Sequence, residues 1–475
     1  MNGGAGASAA RPPGTLWAAL SAGALAALLI GCAAKAPPAP AATLQLPGAW
    51  RTAPDAGAAA TALEGQWWQR FGDPALSALV ERALAHNGDL RIARARLLEY
   101  RARVAVAGAS QRPSVSVDGA ATRTRQLAYN GVPYVTNVYQ AEFQAAYEVD
   151  VWGRLAAQTD AANASYLAEQ ASADAAALSI AASAASGYLN LRGLDAQLEL
   201  TVATLALRER SRDLAKRQFE VGYSSRLEWL QAQAEYQSAA EQIPQLRRAI
   251  FEQENALSVL CGGNPGPVPR GATLASLTPP PVPEGLPSEL LRRRPDIVRA
   301  ERNLVAANAS LRATRDQLLP SFKLSATGGG QSLKLHDFLN TPTALWRLTG
   351  MAAAPVFEGG RVQAQTDAAA AQRDQLAYAY ENAVRAAFAE TDNGLGAVAR
   401  LREQAVQNDA RRATAAETLR IAHNRYSNGY ASYLEELDAQ RTLYNADVGS
   451  LQLRTRILVA TVDLYRAMGG GWEAR

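Results

Sequence analysis

The feature that most constrains the fold is an internal duplication. Residues 218–233 read QFEVGYSSRLEWLQAQ and residues 425–440 read RYSNGYASYLEELDAQ, so that Gly-Tyr, Leu-Glu and a closing Ala-Gln recur 207 positions apart. The same offset aligns Pro113-Ser114 with Pro320-Ser321, and Gly153-Arg154 with Gly360-Arg361. One register holds from about residue 89 to 263 and from about 296 to 470. The chain is therefore two copies of one unit, and any fold must be built from that unit twice.

The N-terminus has the pattern of a targeting signal. Arg11 precedes an apolar run over 16–30, which has the length of a signal-peptide core. The run ends in Leu-Ile-Gly-Cys, which resembles a bacterial lipobox, so we predict a signal peptide over 1–31, a lipid on Cys32 and a lipidated leash over 32–66. Ala33 stands where an Asp would hold many lipoproteins at the inner membrane, which favours the outer membrane. The alternative is an ordinary signal peptide with an incidental Cys.

Composition excludes several classes of function. The 48 Lys and Arg nearly balance the 44 Asp and Glu, so no nucleic-acid partner is indicated. Three His, three Met and two Cys are too few and too scattered for a metal site or a disulfide framework. No nucleophile is paired with a His at a motif, and no phosphate-binding loop follows a strand. We therefore expect a protein that is not an enzyme and holds no cofactor or metal.

Each repeat continues with a predicted β-hairpin. A charged helix (about 75–110, then about 286–318) stops before proline, and period-two alternation begins at once. In repeat one, Val115, Val117 and the odd residues over 139–151 form an apolar face, and Gln, Glu and Asp mark the other. Loops are predicted at 126–137 and 329–343. The apolar face could cover an ordinary core or face lipid, and 139–151 exceeds the roughly 9–11 residues that a membrane-spanning strand needs.

Very long helices follow the hairpins. Residues 154–220 and 361–427 contain no proline, and at about 1.5 Å per residue they would be roughly 100 Å long. They reverse at Gly222-Tyr223 and Gly429-Tyr430, where glycine can adopt the left-handed conformation of a helix end. Return helices are predicted over about 225–261 and 432–468.

Four strands cannot close a membrane barrel on their own. An open sheet edge in hydrocarbon leaves backbone groups unpaired, and closed barrels have about eight strands or more. The chain must therefore oligomerise around an axis. Two copies would supply about eight strands and three about twelve, and the pattern alone does not choose between them.

The pattern resembles one family in particular. WWQRFGDPALSALVERALAHNGDLRIA (67–93), LPSELLRRRPDIVRAERNLVAANA (286–309), the two turns and the terminal AMGGGW resemble signatures of the outer-membrane factors, the TolC-like exit ducts of tripartite efflux pumps. The likeness covers about 60–472 and is greatest to the lipoprotein, NodT-type branch. It implies a mainly α fold with a transmembrane β part, in which three chains form a twelve-stranded β-barrel and a periplasmic α-helical barrel. The expected organisation is repeat 1 over 67–270 and repeat 2 over 271–475.

The resemblance also implies roles for two sets of residues. The turns would dock a periplasmic membrane-fusion adaptor protein, and the alternative is plain turn chemistry; the residues concerned are Gly222, Tyr223, Ser225, Gly429, Tyr430 and Ser432. Below the second turn, Leu434, Asp438 and Arg441 lie on one helix face. They match the constriction that closes the periplasmic end of such ducts, and the alternative is an exposed i,i+3 ion pair.

The predicted function is a passive outer-membrane duct. It would conduct drugs or other small solutes from the periplasm to the exterior, as a homotrimer held in outer-membrane lipid and served by an adaptor and an inner-membrane RND-type pump. The duct of a type I protein secretion system is the alternative within the class. A non-conducting trimeric scaffold is the alternative outside it, and the polar strand faces argue against that reading.

Overall fold

The computed structural model describes residues 47–52, 65–282 and 287–472, so the predicted signal peptide and Cys32 lie outside the described residues. The described chain forms two compact units. One unit holds 99–167 and 302–379, which include all the strands. The other holds the described parts of 42–98, 168–301 and 380–475, which include both helix turns.

The elements repeat at the predicted offset. Repeat one contains α1 (Pro74–His86), α2 (Gly88–Ala109), β1 (Ser114–Leu127), β2 (Pro133–Val149), α3 (Arg154–Glu220) and α4 (Arg226–Leu260). Repeat two contains α5 (Leu290–Arg293), α6 (Pro295–Arg315), β3 (Ser321–Ser332), α7 (Leu335–Asn340), β4 (Thr343–Ala353), α8 (Arg361–Ser427) and α9 (Tyr433–Ala467). The long helices α3 and α8 have 67 residues each, and the return helices α4 and α9 have 35 each. The duplication and the fold class are confirmed.

The predicted opening helix of each repeat is wrong in one respect, because it is broken. The breaks lie at Asn87 and Arg294, which are equivalent positions. Asn87 donates its side-chain amide to the carbonyl of Leu260 at 2.8 Å, and Arg294 donates to the carbonyl of Ala467 at 2.9 Å. Each side chain therefore satisfies an unpaired carbonyl at the C-terminus of the return helix of its own repeat, which a continuous helix would not position it to do.

The four strands form one antiparallel sheet in the order β1-β2-β3-β4. The loops are shorter than predicted, since β1 extends to Leu127, β2 begins at Pro133 and β3 extends to Ser332. The short helix α7 in the second loop was not predicted. Among the described residues, no helix is both long and apolar enough to cross a bilayer.

The strand register confirms the two predicted faces of the sheet. Val117 pairs with Phe143, Phe143 with Gly328, and Gly328 with Trp346, so these four side-chain positions share a face. We call this the apolar face; from β1 and β2 it includes Val115, Val117, Gly119, Ala121, Tyr139, Ala141, Phe143, Ala145, Tyr147 and Val149. The opposite, polar face carries Asp118 directly across from Glu142, with Lys323 and Arg347 on the neighbouring strands.

The largest hydrophobic cluster packs the start of repeat one against the ends of both return helices. It includes Trp67, Tyr188, Leu257 and Tyr465, all nearly inaccessible to solvent. After each return helix, a glycine packs against the end of the opening helix of its own repeat. Gly469 has φ +91, and a Cβ on it would lie 2.0 Å from the carbonyl oxygen of Arg293. The equivalent Gly262 has φ +70, and its Cβ would lie 2.2 Å from the carbonyl oxygen of His86. Only glycine fits either position.

Candidate functional site: the helix turns and the cluster beneath them

The two helix turns have the same backbone geometry. Gly222 and Gly429 are left-handed, with φ +78 and +75. In the first turn the amide of Gly222 donates to the carbonyl of Phe219 at 3.0 Å, and that of Tyr223 to the carbonyl of Gln218 at 2.8 Å. The second turn repeats both bonds, at 3.0 and 2.8 Å. This pair of hydrogen bonds is the Schellman motif, which explains why each turn has glycine at this position.

Of the remaining turn residues, one stabilises the turn through its side chain and the others do not. Ser225 caps α4 by accepting from the amide of Glu228 at 3.3 Å, whereas the side chain of Ser432 makes no capping bond to α9. Tyr223 and Tyr430 are each 79% exposed. A Schellman turn needs nothing from the side chain of a tyrosine at this position, so two equivalent exposed aromatic rings are left without a role in the fold.

A tyrosine beneath the second turn links the two repeats. Tyr426 of α8 packs at 5.6 Å from Tyr433 of α9, and its hydroxyl donates to the side-chain oxygen of Gln218 of α3 at 3.1 Å. Burial raises the pKa of Tyr426 and of Tyr433 to about 12. Both hydroxyls therefore stay protonated at physiological pH, and Tyr426 remains a donor linking the repeats.

The predicted gate residues share the outward surface of α9. Leu434 is 55% exposed, Asp438 is exposed, and the side chain of Arg441 is 51% exposed. On the other side of the same helix, Tyr433 and Leu437 are buried against the chain. The structure thus brings the three residues onto one surface that faces away from their own subunit.

Asp438 and Arg441 do not form the i,i+3 ion pair that was the alternative prediction. Arg441 instead donates its Nε to Glu235 Oε1 at 2.9 Å. Asp438 has no hydrogen bond or ion pair with any residue that the structure describes. The pKa of Arg441 is raised chiefly by its hydrogen bond to Glu235, with a smaller through-space contribution from Asp438.

Glu235 is the functional candidate that sequence reasoning missed. Its side chain is 10% exposed and forms an ion pair with Arg208 of α3, whose side chain is 9% exposed, with Nη1 3.2 Å from Oε2. Arg208 also donates to the backbone carbonyl of Glu235 at 2.9 Å. We call Arg208, Glu235 and Arg441 the Glu235 cluster. It joins α3 and α4 of repeat one to α9 of repeat two, so it couples the candidate gate residue to the other repeat.

A second buried carboxylate lies closer to the turns. Glu436 is 5% exposed, and it lies 3.0 Å from Nδ1 of His423 and 3.0 Å from the side-chain amide of Gln440.

The sequence held one indication of the role of Glu235. This residue lies at helical steps of three and four from Ala232 and Ala239, which are both buried. An acidic residue on the buried side of a helix needs a cationic partner, so this spacing could have predicted an ion pair at Glu235.

Comparison with known proteins decides the family. The sequence profile of the family described as "Outer membrane efflux protein" matches this chain twice, over residues 79–263 and 286–470. The chain belongs to the outer membrane efflux protein family. The two matches differ by the offset of the duplication, so each repeat carries the family pattern.

Relatives and solved structures agree with this membership. The probable efflux pump outer membrane protein TtgC of Pseudomonas putida is 34% identical over 410 residues, which cover 85% of this chain and 84% of TtgC. A membrane protein from Pseudomonas aeruginosa superposes with a TM-score of 0.84 at 30% identity, over 92% of this chain and all of that one. The open state of the Neisseria gonorrhoeae MtrE outer membrane channel gives 0.81 at 27%, over 93% and 99%.

These findings confirm the prediction of an outer-membrane efflux duct and not an enzyme. They confirm its place in the Gram-negative outer membrane with a periplasmic extension. The domain boundaries, the lipid on Cys32 and the roles of the turn and gate residues stay predictions.

Proposed function

We propose that the chain forms a homotrimeric exit duct of a tripartite efflux pump, which conducts drugs or other small solutes passively out of the periplasm. The observation that carries this proposal is the sheet. It has one apolar and one polar face, and its edge strands β1 and β4 have no partner within the described chain. Copies that pair β4 with the next β1 would close a barrel, with the apolar face toward lipid and the polar face lining a channel.

The turns are proposed as the docking surface for a periplasmic adaptor. The Schellman geometry accounts for Gly222 and Gly429, but it leaves Tyr223, Tyr430 and Ser432 without a structural task. Exposed tyrosines at equivalent positions in two repeats would give one trimer six similar contact points. Tyrosine is enriched at such contacts because its ring is large and its hydroxyl can bond.

Leu434, Asp438 and Arg441 are proposed as the periplasmic gate. Their shared exposed surface on α9 is supported by the burial of the opposite side of that helix. Around a three-fold axis this surface would bring three leucines and three carboxylates together. The remaining predictions, a lipid anchor at Cys32 and an RND-type pump in the inner membrane, complete the assembly.

Ion conductance in planar bilayers tests the duct directly. The purified full-length protein should give discrete conductance steps, and a protein that inserts but never conducts would refute the proposal in favour of a scaffold. Cells in which the gene is deleted should be more sensitive to drugs. If the deletion instead stops the export of a protein and leaves drug sensitivity unchanged, type I secretion is favoured.

Adaptor docking has its own test with a matched control. Tyr430→Glu should abolish cross-linking to the adaptor while the trimer persists. Tyr129→Glu changes a still more exposed tyrosine in the loop between β1 and β2, and it should cross-link like the wild type. If both variants cross-link equally, the turns are not the docking surface.

A further inference from the structure

The apolar face of the sheet carries charge at one place. Along the register, every strand residue on this face of β2, β3 and β4 is uncharged. On β1 the face continues through Val115, Val117, Gly119 and Ala121 to Arg123 and Arg125. The face that would contact lipid thus holds two charged residues, both arginines, side by side on one strand.

The position of the two arginines along β1 can be compared with the thickness of the membrane. Val115 lies at the end of β1 nearest α2, and Arg125 lies near the hairpin end. Ten residues extend roughly 33 Å along a strand, or roughly 25 Å along the membrane normal at a tilt of about 40°. The apolar band of outer-membrane barrels is about 25 Å tall. In the proposed orientation, with the hairpin loops on the outside of the cell, Arg125 reaches the outer boundary of the membrane and Arg123 lies two residues below it, so both guanidinium groups can extend to the headgroups.

The two arginines have no acidic partner among the residues that the structure describes. Both are exposed, and neither makes a hydrogen bond or ion pair to any residue in the described ranges. A second copy paired along β1 would not supply one from its strand, because β4 contains no Asp or Glu. The register partners on β2, Asn137 and Val135, are uncharged as well.

We propose that Arg123 and Arg125 form a binding site for the phosphate groups of the outer-leaflet glycolipid, lipid A. The outer leaflet of this membrane is built from that phosphorylated disaccharide, so a phosphate is the anion available at this height. Arginine binds phosphate through two parallel hydrogen bonds, which lysine does not provide. Two arginines one register step apart would hold one lipid A at each junction between subunits, next to the edge strand. This inference rests on the proposed orientation of the barrel and adds a ligand to it.

Native mass spectrometry of the full-length protein tests the site. The assembly is incubated with bisphosphorylated lipid A, with dephosphorylated lipid A and with phosphatidylglycerol. The wild type should retain bisphosphorylated lipid A at least tenfold more tightly than either of the others. The double variant R123Q/R125Q should lose that preference, and Arg347→Gln, on the polar face of the same sheet, should keep it. Equal retention of all three lipids, or unchanged retention by R123Q/R125Q, overturns the proposal.

Two further measurements keep the outcome interpretable. If R123Q/R125Q does not assemble, R123K/R125K decides: it keeps the charge and loses the paired hydrogen bonds, so its affinity should fall severalfold, and wild-type affinity would overturn the site. Conductance in bilayers without lipid A should be the same for the wild type and R123Q/R125Q. A protein that binds lipid A without conducting would refute the duct and leave the lipid site standing.

Discussion

Neutralising Glu235 should loosen the region beneath the turns more than any other single charge change there. In Glu235→Gln, the carboxylate that serves both Arg208 and Arg441 is lost while its shape is kept. Arg208 is 9% exposed, so it stays buried without a counter-ion, whereas the half-exposed Arg441 turns to water. Breaking a buried ion pair costs about 3–5 kcal/mol, and an exposed one contributes about 0–1. Glutamine keeps one acceptor, which places the expected loss near the lower end, at about 3 kcal/mol.

Amide hydrogen exchange of peptides from α4 measures this loss locally. With a tenfold change for every 1.4 kcal/mol or so, amides near residue 235 should exchange about 150-fold faster in the variant. Glu252→Gln is the matched control on the same helix, because its partner Arg248 is 74% exposed and the pair spans i,i+4. That control should change exchange by less than about threefold.

A hydrophobic replacement separates charge from packing. Glu235→Leu together with Arg208→Met removes both buried charges, and such replacements are commonly neutral or stabilising. Exchange should therefore return toward the wild-type rate. If Glu235→Gln exchanges within threefold of the wild type, the cluster does not hold the repeats together, and the inferred coupling between gate and repeat one is wrong.

Three other outcomes are expected. Cys32→Ser should remove the lipid mass from the mature N-terminal peptide, and an unchanged mass would contradict the lipobox. Gly429→Ala should cost about 1–2 kcal/mol from left-handed strain alone, since nothing lies within 4 Å of the added Cβ, whereas Gly469→Ala should cost more because its Cβ meets a backbone carbonyl at 2.0 Å; equal thermal midpoints would refute this ordering. Asp438→Ala should raise single-channel conductance, more at low salt than at high. Each Arg441 keeps its bond to Glu235, but the variant removes the through-space attraction of Asp438, so the three guanidinium groups would repel one another more strongly across the gate. Wild-type conductance at both salts would place the gate elsewhere.

Much of the fold could be predicted because the signals were periodic and doubled. The absence of proline over 154–220 and 361–427 set both long helices at the bounds that the structure has. Alternation set the faces of the sheet, and Gly222 and Gly429 set the turns. Each of these signals is local in sequence, and each could be checked against its copy.

The missed features depend on contacts between distant parts of the chain. The breaks at Asn87 and Arg294 exist because those side chains reach return helices 173 residues away in sequence. Arg441 was paired with Asp438 because they are neighbours on one helix, but its partner Glu235 lies 206 residues away. Spacing along one helix identifies only neighbouring partners such as Asp438. Tertiary packing places the carboxylate of Glu235 within hydrogen-bond distance of the Arg441 guanidinium instead.

The equal helix lengths in the two repeats limit how this architecture can change. One inserted residue would rotate everything beyond it by about 100° and displace it by about 1.5 Å, so a lengthened α3 would no longer present its turn beside that of α8. The contact between Tyr426 and Gln218, and the shared carboxylate of Glu235, would be lost together. Growth or shortening is therefore open to this protein only as matched changes in all four helices, 67 and 35 residues long, in whole turns. The length of the helical part is therefore fixed by both repeats together, and neither repeat can change it alone.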